Sequence, residues 1–554
     1  MEESAATTSK KGAKKAEAKA KKEALKSHRA AELAAAADNV TLEDDPAAES
    51  YGDRRCTASL FSHAAEEVEI RSLNESHIDK TVIVRAWLQN TRVQSAKMGF
   101  LELSKTGNWS IQGIVMASDE EPTVSRRMVK WVMGINPESF VAVEAKVKQP
   151  LTPIKSCRVE GLELHITKRY LLASAPPMLG MTLAVANQPI VNFSDDKAQV
   201  GDVEADKTAV PAASMLTHLD NIAMHKRSLV QQAIAGIRIE VKRLFRSYLE
   251  DRGFNEFEPP CLIRAASEGG GNVFRLPYFG DEASLAQSPQ FYKQFEIAGG
   301  RERVFSTGPV FRAENSNTAR HMTEFTGLDI EMEIKDSYTE VRDILEGVLL
   351  HIFRGIQATC RRDCGGPIRL PFGTFLPPRA GQRSPSDLRR GTKAFARRRT
   401  PEFANVRDDE DMSTPQEKAL GEVVRSKFKT DFYVVDKFPE TARLFYAKMG
   451  DAATPVGGGV RVTNAFDFFA RNQEILSGGQ RINDAVELEA RIRAKGVDPD
   501  SAGIKEYLAV FRSVGVPPHG GGGIGLDRVV AWYLGLPSVH LAAYYPRTPK
   551  RLTP

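Results

Sequence analysis

Cysteine is scarce in this chain, with five residues among 554, at Cys56, Cys157, Cys261, Cys360 and Cys364. The count is odd and the positions are scattered, which excludes a disulfide framework and fits a reducing compartment. Cys360 and Cys364 fall one helical turn apart, but no second ligand pair follows them, so the spacing does not make a zinc site. Long apolar runs are missing too. No stretch is long enough to span a bilayer, so no membrane partner is expected. The opening MEESAATTSKKG has neither the apolar core of a secretory signal nor the acid-poor composition of a transit peptide, and the expected location is cytoplasmic. Net charge is absent from most of the sequence. Residues 1–30 hold eight lysines and one arginine against four glutamates, so the +5 of the whole chain is already present there and the remainder balances to zero.

What is there begins with that tail. Lys11, Lys15, Lys19, Lys22 and Lys26 recur at helical spacing among alanines, forming one basic stripe on a partly helical extension. A solubilising leader would look similar. The stripe suits a polyanion bound through its phosphates, and RNA fits better than a membrane because Leu25 stands nearly alone on the apolar side.

Residues 1–67 therefore read as a lysine-rich extension and linker. From 68 to 172 short alternating segments (VIVRAWLQ, FLELSK, IQGIVMA, FVAVEAKVK, LELHITKRY) surround one helical stretch, VSRRMVKWVM. Five strands and a helix over such a length predict a small Greek-key barrel of the OB type, a fold that binds single-stranded nucleic acid. Phe100 lies on one of these strands and, on pattern alone, reads as a core ring. Residues 173–215 have weak periodicity and read as a hinge. Residues 216–554 mix helices and strands: a helix from about Ser228 that stops at Gly253, GFNEFEPPCLI, the mobile-looking ASEGGGNVF, AQSPQFYKQ, a helix MSTPQEKALGEVVRSKF, a strand TDFYVVDKF, EILSGGQRIND, a helix DAVELEARIRAKG, and HGGGGIGLDRVVAWYLGL. Segment 365–404, with seven arginines between Arg379 and Arg399, is irregular.

The most informative stretch is FRAENSNTARHMTEFTGLDIEME, from Phe311 to Glu333. Leu328, Ile330 and Met332 alternate with Phe325, Asp329, Glu331 and Glu333, the period of a strand. Arg312 and Glu314 share a face in the first half, and a polar loop between carries Arg320 and His321. A merely wet face would use lysine, which is absent here, and would not isolate Phe325 among charges. Arginine is the residue of bidentate phosphate binding, and an aromatic ring can stack a base. The hairpin therefore predicts a nucleotide polyphosphate site. Near the end of the chain Gly520, Gly522 and Gly525 satisfy G-x-G-x-x-G, but no second strand with an acidic residue follows, so a Rossmann site is rejected. A glycine strand running into a helix near Leu526 still lets a flat ligand approach the backbone, with Arg528 in the first turn.

Together these segments resemble the class II aminoacyl-tRNA synthetases. GFNEFEPPCLI looks like motif 1, with its proline at Pro260. FRAE…RHMTEF looks like motif 2, and GGGIGLDR like motif 3. SEGGGNVF, QSPQFYKQ, EILSGGQRI and PKRLTP are similar to the eukaryotic cytosolic aspartyl group of that class. The resemblance implies an α+β fold, an antiparallel sheet flanked by helices and preceded by the OB barrel. It also implies a homodimer acting on ATP, Mg²⁺, L-aspartate and tRNA(Asp). It gives Arg312 and Arg528 the catalytic charge stabilisation. ATP would be bound by these two with Glu314, Arg320, His321, Met322, Phe325, Glu474, Gly525 and Asp527. Glu474 and Ser477 would hold the metal. Ser267, Glu268, Gln290 and Asp329 would surround the amino acid, Ser477 beside them, with Lys293 and Arg481 on its side-chain carboxylate. Phe100, Gln112 and Glu163 match anticodon-reading positions, and the lysine stripe would assist tRNA binding.

The chain departs from the family in places. Asp527 stands where glutamate is usual, LTHLDNIAMHKRS replaces a stretch close to TRLDNRVIDLRT, LFYAKMG and 455–460 replace a PFYTMPDP-like segment, and Thr548 replaces Asp. Two rival readings follow from the sequence: an asparagine-activating or non-discriminating relative, and an RNA-binding paralogue without catalysis. The first conflicts with the cation pair Lys293 and Arg481, the second with the intact Arg312, Lys293, Glu474, Arg481 and Arg528.

Overall fold

The computed structural model describes residues 45–53, 65–105, 109–190, 210–264, 272–316, 318–363 (359–363 as backbone only), 375, 410–450 and 461–553. The lysine stripe, Ser267, Glu268, the 455–460 segment and nearly all of 365–404 lie outside the described residues. The chain divides into two units, residues 1–180 and 181–554.

In the first unit, strands β1 (Tyr51–Asp53) and β2 (Glu66–Glu67) precede β3 (Thr81–Ser95), β4 (Met98–Lys105) and β5 (Trp109–Met116). Helix α1 (Arg126–Met133) then leads to β6 (Phe140–Lys148) and β7 (Glu163–Ala173). β3 pairs with β4 and β6, β4 with β5, β5 with β7, and β6 with β7, so five strands close on themselves. This is the OB-like barrel the alternation predicts. Val82, Val84, Ala86 and Leu88 of β3 point inward, as do Leu101 and Leu103 of β4. Residues 45–53, within the stretch read as linker, are ordered on this barrel: β1 runs parallel to β7, and Asp45 accepts from Tyr51 Oη (2.7 Å) and Ser125 Oγ (2.9 Å).

Phe100 corrects the pattern-based expectation of a core ring. It is one residue out of phase with Leu101, so it emerges on the outer face, partly exposed, with the Arg92 guanidinium 4.7 Å from its ring centroid. Gln112 and Glu163 are register partners on β5 and β7, joined by a 3.2 Å hydrogen bond from Gln112 Nε2.

The second unit begins with a short helix, Leu183–Ala186, inside the stretch read as hinge. Met215–Asp220 and Ile222–Arg227 follow, then α2 (Leu229–Glu250), capped by Ser228 Oγ accepting from Gln231 N. Next in order come β8 (Asn255–Glu256), β9 (Leu262–Ile263), β10 (Arg275–Tyr278), β11 (Asp281–Leu285), α3 (Gln290–Ala298), β12 (Arg303–Phe311), β13 (Glu324–Glu333), α4 (Thr339–Asp363) and α5 (Thr414–Phe428). The chain continues through β14 (Phe432–Asp436), β15 (Ala465–Ala470), β16 (Gln473–Gln480), α6 (Ala485–Ala494), α7 (Ile504–Ser513), β17 (His519–Gly525) and α8 (Leu526–Leu534).

The main sheet has the order β14-β15-β16-β17-β13-β12-β8, antiparallel except where β8 meets β12. Its even-numbered β13 residues Leu328, Ile330 and Met332 sink into the core with residues of α2, α4 and α8. The odd-numbered face is left for chemistry. The strand ends at Phe311, so Arg312 and Glu314 lie in the connecting loop and not, as the alternation suggested, on the strand. A hydrogen bond from Arg312 N to Thr323 O prolongs the pairing by one step.

The departure at 216–228 has a structural consequence. His218 and His225, on successive short helices, are buried with their Nδ1 atoms 3.1 Å apart. Burial holds both imidazoles below the ordinary value, and His225, next to His218 and Lys226, falls to about 3. The unfolded chain binds protons at His225 near pH 6.5, whereas the folded one stays neutral there. Stability from this pair is therefore complete above pH 6.5 and is lost as pH falls from 6.5 toward 3. The loss from His225 is about 1.4 kcal/mol per pH unit at most. Urea unfolding of the full chain between pH 7 and pH 4 checks this. A His218→Leu/His225→Leu variant is expected to show the shallower dependence.

Candidate active site

One cavity of about 340 Å³ opens on the odd-numbered face of β13, a volume at the small end for ligand clefts. Its wall takes Gln290 and Lys293 from α3, and Arg312, Glu314, Arg320, His321 and Met322 from the loop between β12 and β13. Phe325 and Asp329 come from β13, Glu474 and Ser477 from β16, Arg481 from just beyond it, and Gly525, Asp527 and Arg528 from the β17–α8 junction. These are all the described residues expected in the ATP and amino-acid sites; Glu331, which sequence reasoning left without a role, lies behind the wall.

The sheet register explains the convergence. Asp329 pairs with Gly523, Gly523 with Ser477, and Ser477 with Asp467, placing three polar side chains on one rung around a glycine. One rung along, Glu331 pairs with Gly521 and Gly521 with Gly479. The glycines leave the space that the carboxylates fill: a Cβ on Gly523 would stand 3.1 Å from Asp329 Oδ1.

Glu331 is the hub of the inner end. It is fully buried, and Arg481 donates to it in a fork, Nε to Oε1 at 3.0 Å and Nη2 to Oε2 at 3.3 Å. Lys293 Nζ lies 3.4 Å from Glu331 Oε2 and 3.1 Å from Asp329 Oδ1. Burial alone would raise the Glu331 carboxyl, but the charges of Arg481 and Lys293 outweigh it and hold it below the usual range. Behind this cluster runs a chain of hydrogen bonds. Gln290 Nε2 and Tyr507 Oη both donate to Gln294 Oε1, and Gln294 Nε2 lies 2.8 Å from His519 Nε2. His519 Nδ1 lies 2.8 Å from Pro517 O, which makes it the protonated nitrogen and leaves Nε2 to accept.

The outer end is cationic. Arg528 Nη1 stands 3.3 Å from Glu474 Oε1, Arg312 lies 5.7 Å from the Phe325 ring centroid, and Arg320 Nη1 is 2.8 Å from Glu417 Oε2. His321 is held below its ordinary pKa by burial and by Arg528, so its ring is neutral at pH 7. Burial opposes the charge on Glu474, yet Arg528, Arg443, Arg320 and Arg312 together hold it ionised.

Asp467, which sequence reasoning missed, lies beside Glu474 in the sheet. Burial and the Glu474 charge push its carboxyl up, against the pull of Arg443, whose Nη2 donates to Oδ2 at 2.6 Å. Its Oδ1 is buried with no hydrogen-bond partner, and Arg443 Nη1 donates to Ser477 Oγ at 2.9 Å. Among the described residues no three His, Cys, Asp or Glu side chains gather as a closed metal cage. Two mutually repelling carboxylates and a hydroxyl are instead a hard, incomplete oxygen set, which fits Mg²⁺, an ion that keeps waters and shares phosphate oxygens.

Asp527 reaches the cavity wall, and its buried carboxylate accepts from Arg238 of α2 and, at 3.3 Å, from Thr326 N. It ties α8 to α2 and β13.

A seven-stranded sheet with arginines gathered at one end of its cavity and a Lys–Arg pair at the other suits a class II tRNA synthetase. The chain belongs to that family: residues 214–549 match the family described as tRNA synthetases class II (D, K and N). The cytoplasmic aspartate–tRNA ligase of Homo sapiens is 38% identical over 517 residues, covering 92% of this chain and 96% of that one. Its Caenorhabditis elegans counterpart is 38% identical over 513 residues, covering 92% of each chain. Among solved structures, an aspartyl-tRNA synthetase from Entamoeba histolytica superposes with a TM-score of 0.73 at 34% identity, covering 91% of this chain and 96% of that one. An asparaginyl-tRNA synthetase from Pyrococcus horikoshii, complexed with asparaginyl-adenylate, superposes at 0.67 with 26% identity, covering 88% and 100%.

Proposed function

We infer that this chain is an ATP-dependent aspartate–tRNA ligase. The observation that carries this reading is the order of side chains along one face of β13: Phe325, Gly327, Asp329 and Glu331. Pocket-facing residues on a strand are spaced about 6.6 Å apart. A base stacked at Phe325, a phosphate near Arg312, an ammonium at Asp329 and a carboxylate at the Lys293–Arg481 pair follow one another as the parts of an aspartyl-adenylate do.

The chemistry needs little from the protein beyond charge and position. An oxygen of the aspartate α-carboxylate attacks the α-phosphorus, and pyrophosphate leaves. The 3′-terminal ribose hydroxyl of tRNA then attacks the carbonyl of the mixed anhydride, and AMP leaves. Arg312 and Arg528 offset the charge gathering at the α-phosphate, while Arg320 and neutral His321 reach the outer phosphates. Mg²⁺ held by Asp467, Glu474 and Ser477 would supply further positive charge there. Gln290 and Asp329 orient the amino group, with Ser267 and Glu268 from earlier in the chain.

Specificity rests on charge balance. Lys293 and Arg481 carry two positive charges; Glu331 offsets one, and Asp329, which also lies beside Lys293, is matched by the substrate ammonium. The substrate carboxylate completes the balance. Asparagine would leave a buried cation unmatched, a penalty of several kcal/mol, roughly the 10⁴-fold that polar pockets achieve. ATP–pyrophosphate exchange and charging assays with aspartate, asparagine and both cognate tRNAs are expected to favour aspartate and tRNA(Asp). Faster exchange with asparagine would overturn the assignment. Folded protein that binds tRNA without any exchange would indicate a paralogue that has lost catalysis.

In the first unit, Phe100 with Arg92, and Gln112 with Glu163, form a surface suited to reading anticodon bases. Glu163 Oε1 is also 2.9 Å from His165 Nε2. The lysine stripe would add contacts to tRNA phosphates. In the same charging assay, removal of residues 1–30 should weaken tRNA affinity and its salt dependence and leave exchange intact. A homodimer in the cytoplasm completes the reading. α2 exposes Leu229, Val230 and Ile239, apolar surface of the kind a partner copy would cover. Sedimentation equilibrium tests the dimer. Among the described residues no helix is long and apolar enough to cross a membrane.

A further inference from the structure

Glu417 is not in the wall of the cavity, yet it is joined to a residue that is. It lies in the first turn of α5, the helix that follows the irregular segment, and its side chain is 12% exposed against 14% for Arg320. Arg320 Nη1 meets both Glu417 Oε2, at 2.8 Å, and Thr414 Oγ1, at 2.7 Å. The start of α5 is itself fixed: Ser413 and Gln416 form a capping box, with Ser413 N donating to Gln416 Oε1 at 2.7 Å.

Arg320 needs such an anchor. It sits in the polar loop between β12 and β13, whose backbone is tied locally, Arg320 N to Thr318 Oγ1 and His321 N to Thr318 O, and at a distance through Val539 N to Ala319 O and His540 Nε2 to His321 O, none of which fixes the Arg320 side chain. An arginine side chain on such a loop loses substantial rotamer entropy when it is immobilised on a ligand. A planar guanidinium held by one terminal nitrogen keeps Nε and Nη2 in a defined plane for another oxyanion.

We propose that Glu417 is a positioning residue for the activation step, which with Thr414 fixes the Arg320 guanidinium where the outer phosphates of ATP, and pyrophosphate in the reverse direction, are bound. The proposal rests on the reading of Arg320 as an outer-phosphate ligand. It makes α5 part of the nucleotide site although none of its side chains lines the cavity. An acidic partner that competed with the triphosphate for Arg320 would have the opposite effect on ATP binding, so the direction of the change is decisive.

The test compares Glu417→Ala, Glu417→Gln, Arg320→Ala and the double variant Glu417→Ala/Arg320→Ala in the full chain. In ATP–pyrophosphate exchange, Glu417→Ala is expected to raise KM for ATP and for pyrophosphate by about tenfold each, with KM for aspartate unchanged. Single-turnover transfer from preformed adenylate to tRNA should also be unchanged. Glu417→Gln, which keeps an oxygen beside Arg320 Nη1, should stay within about threefold of the parent. The double variant should be no worse than Arg320→Ala alone, the mark of two residues acting as one. If Arg320→Ala leaves both KM values unchanged, the outer-phosphate reading of Arg320 fails and the role of Glu417 falls with it. If Arg320→Ala raises them and Glu417→Ala does not, or lowers them, the positioning role alone is overturned. A change in melting temperature with equal effects on all three substrates would mean that Glu417 only supports the fold.

Discussion

Replacing Arg481 with leucine is expected to lower kcat/KM for aspartate in ATP–pyrophosphate exchange by about 10⁴-fold, with KM for ATP within about threefold of the parent. Two of the guanidinium nitrogens of Arg481, Nε and Nη2, are engaged with Glu331, which leaves Nη1 to face the incoming carboxylate. Leucine removes that donor and also leaves a fully buried Glu331 with Lys293 as its remaining cationic neighbour. Removing one partner of a buried pair costs about 3–5 kcal/mol, so stability should fall as well. A second change separates the two effects. Glu331→Gln in the Arg481→Leu background removes the orphaned charge and should restore much of the lost melting temperature without restoring aspartate activation. Recovery of activity in the double variant would mean that Arg481 serves only to neutralise Glu331 and does not hold substrate.

The contrast between Lys293, Arg481 and Glu331 marks where sequence reasoning succeeded and where it stopped. The two cations lie in segments whose resemblance carried a role with them, and the fold brings both to one carboxylate. Glu331 was visible as a member of the odd-numbered face, but alternation says only which side of a strand a residue faces. That this side is roofed over by α3, so that Glu331 is buried between two cations, depends on contacts between distant segments. Asp467 was hidden for a similar reason. It lies in AFDFFA, a run that reads as plain core strand, and only its register with Ser477 brings it to the cationic end of the cavity. The barrel was legible because its strands alternate with polar turns between them. Glu417 was beyond reach altogether, because its partner Arg320 is a hundred residues earlier and on a loop.

The glycines of β17 set the most severe structural expectation. Gly521→Ala should prevent accumulation of folded protein or destabilise it by more than about 4 kcal/mol, the range that single substitutions reach only by overpacking or by orphaning a buried charge. This one does both. A Cβ at 521 would fall well inside van der Waals contact with the backbone oxygen of Ile330 and with a carboxylate oxygen of Glu331. The Ile330 carbonyl belongs to the paired strand β13 and cannot swing aside without breaking the ladder. Glu331 cannot move without releasing Arg481 and Lys293. Gly523, two residues on and on the same face, provides the control. Its Cβ would stand 3.1 Å from Asp329 Oδ1, a side-chain atom that can give by a few tenths of an ångström. Gly523→Ala should therefore fold with a melting temperature close to the parent and show its effect in a raised KM for aspartate, because the same Oδ1 accepts from Lys293 Nζ at 3.1 Å. Thermal melts of the two variants beside exchange kinetics decide the matter. A soluble Gly521→Ala protein that melts like the parent would mean that β13 and β17 can separate without loss, and that the glycine strand is not what lets the carboxylate of Glu331 lie against the sheet.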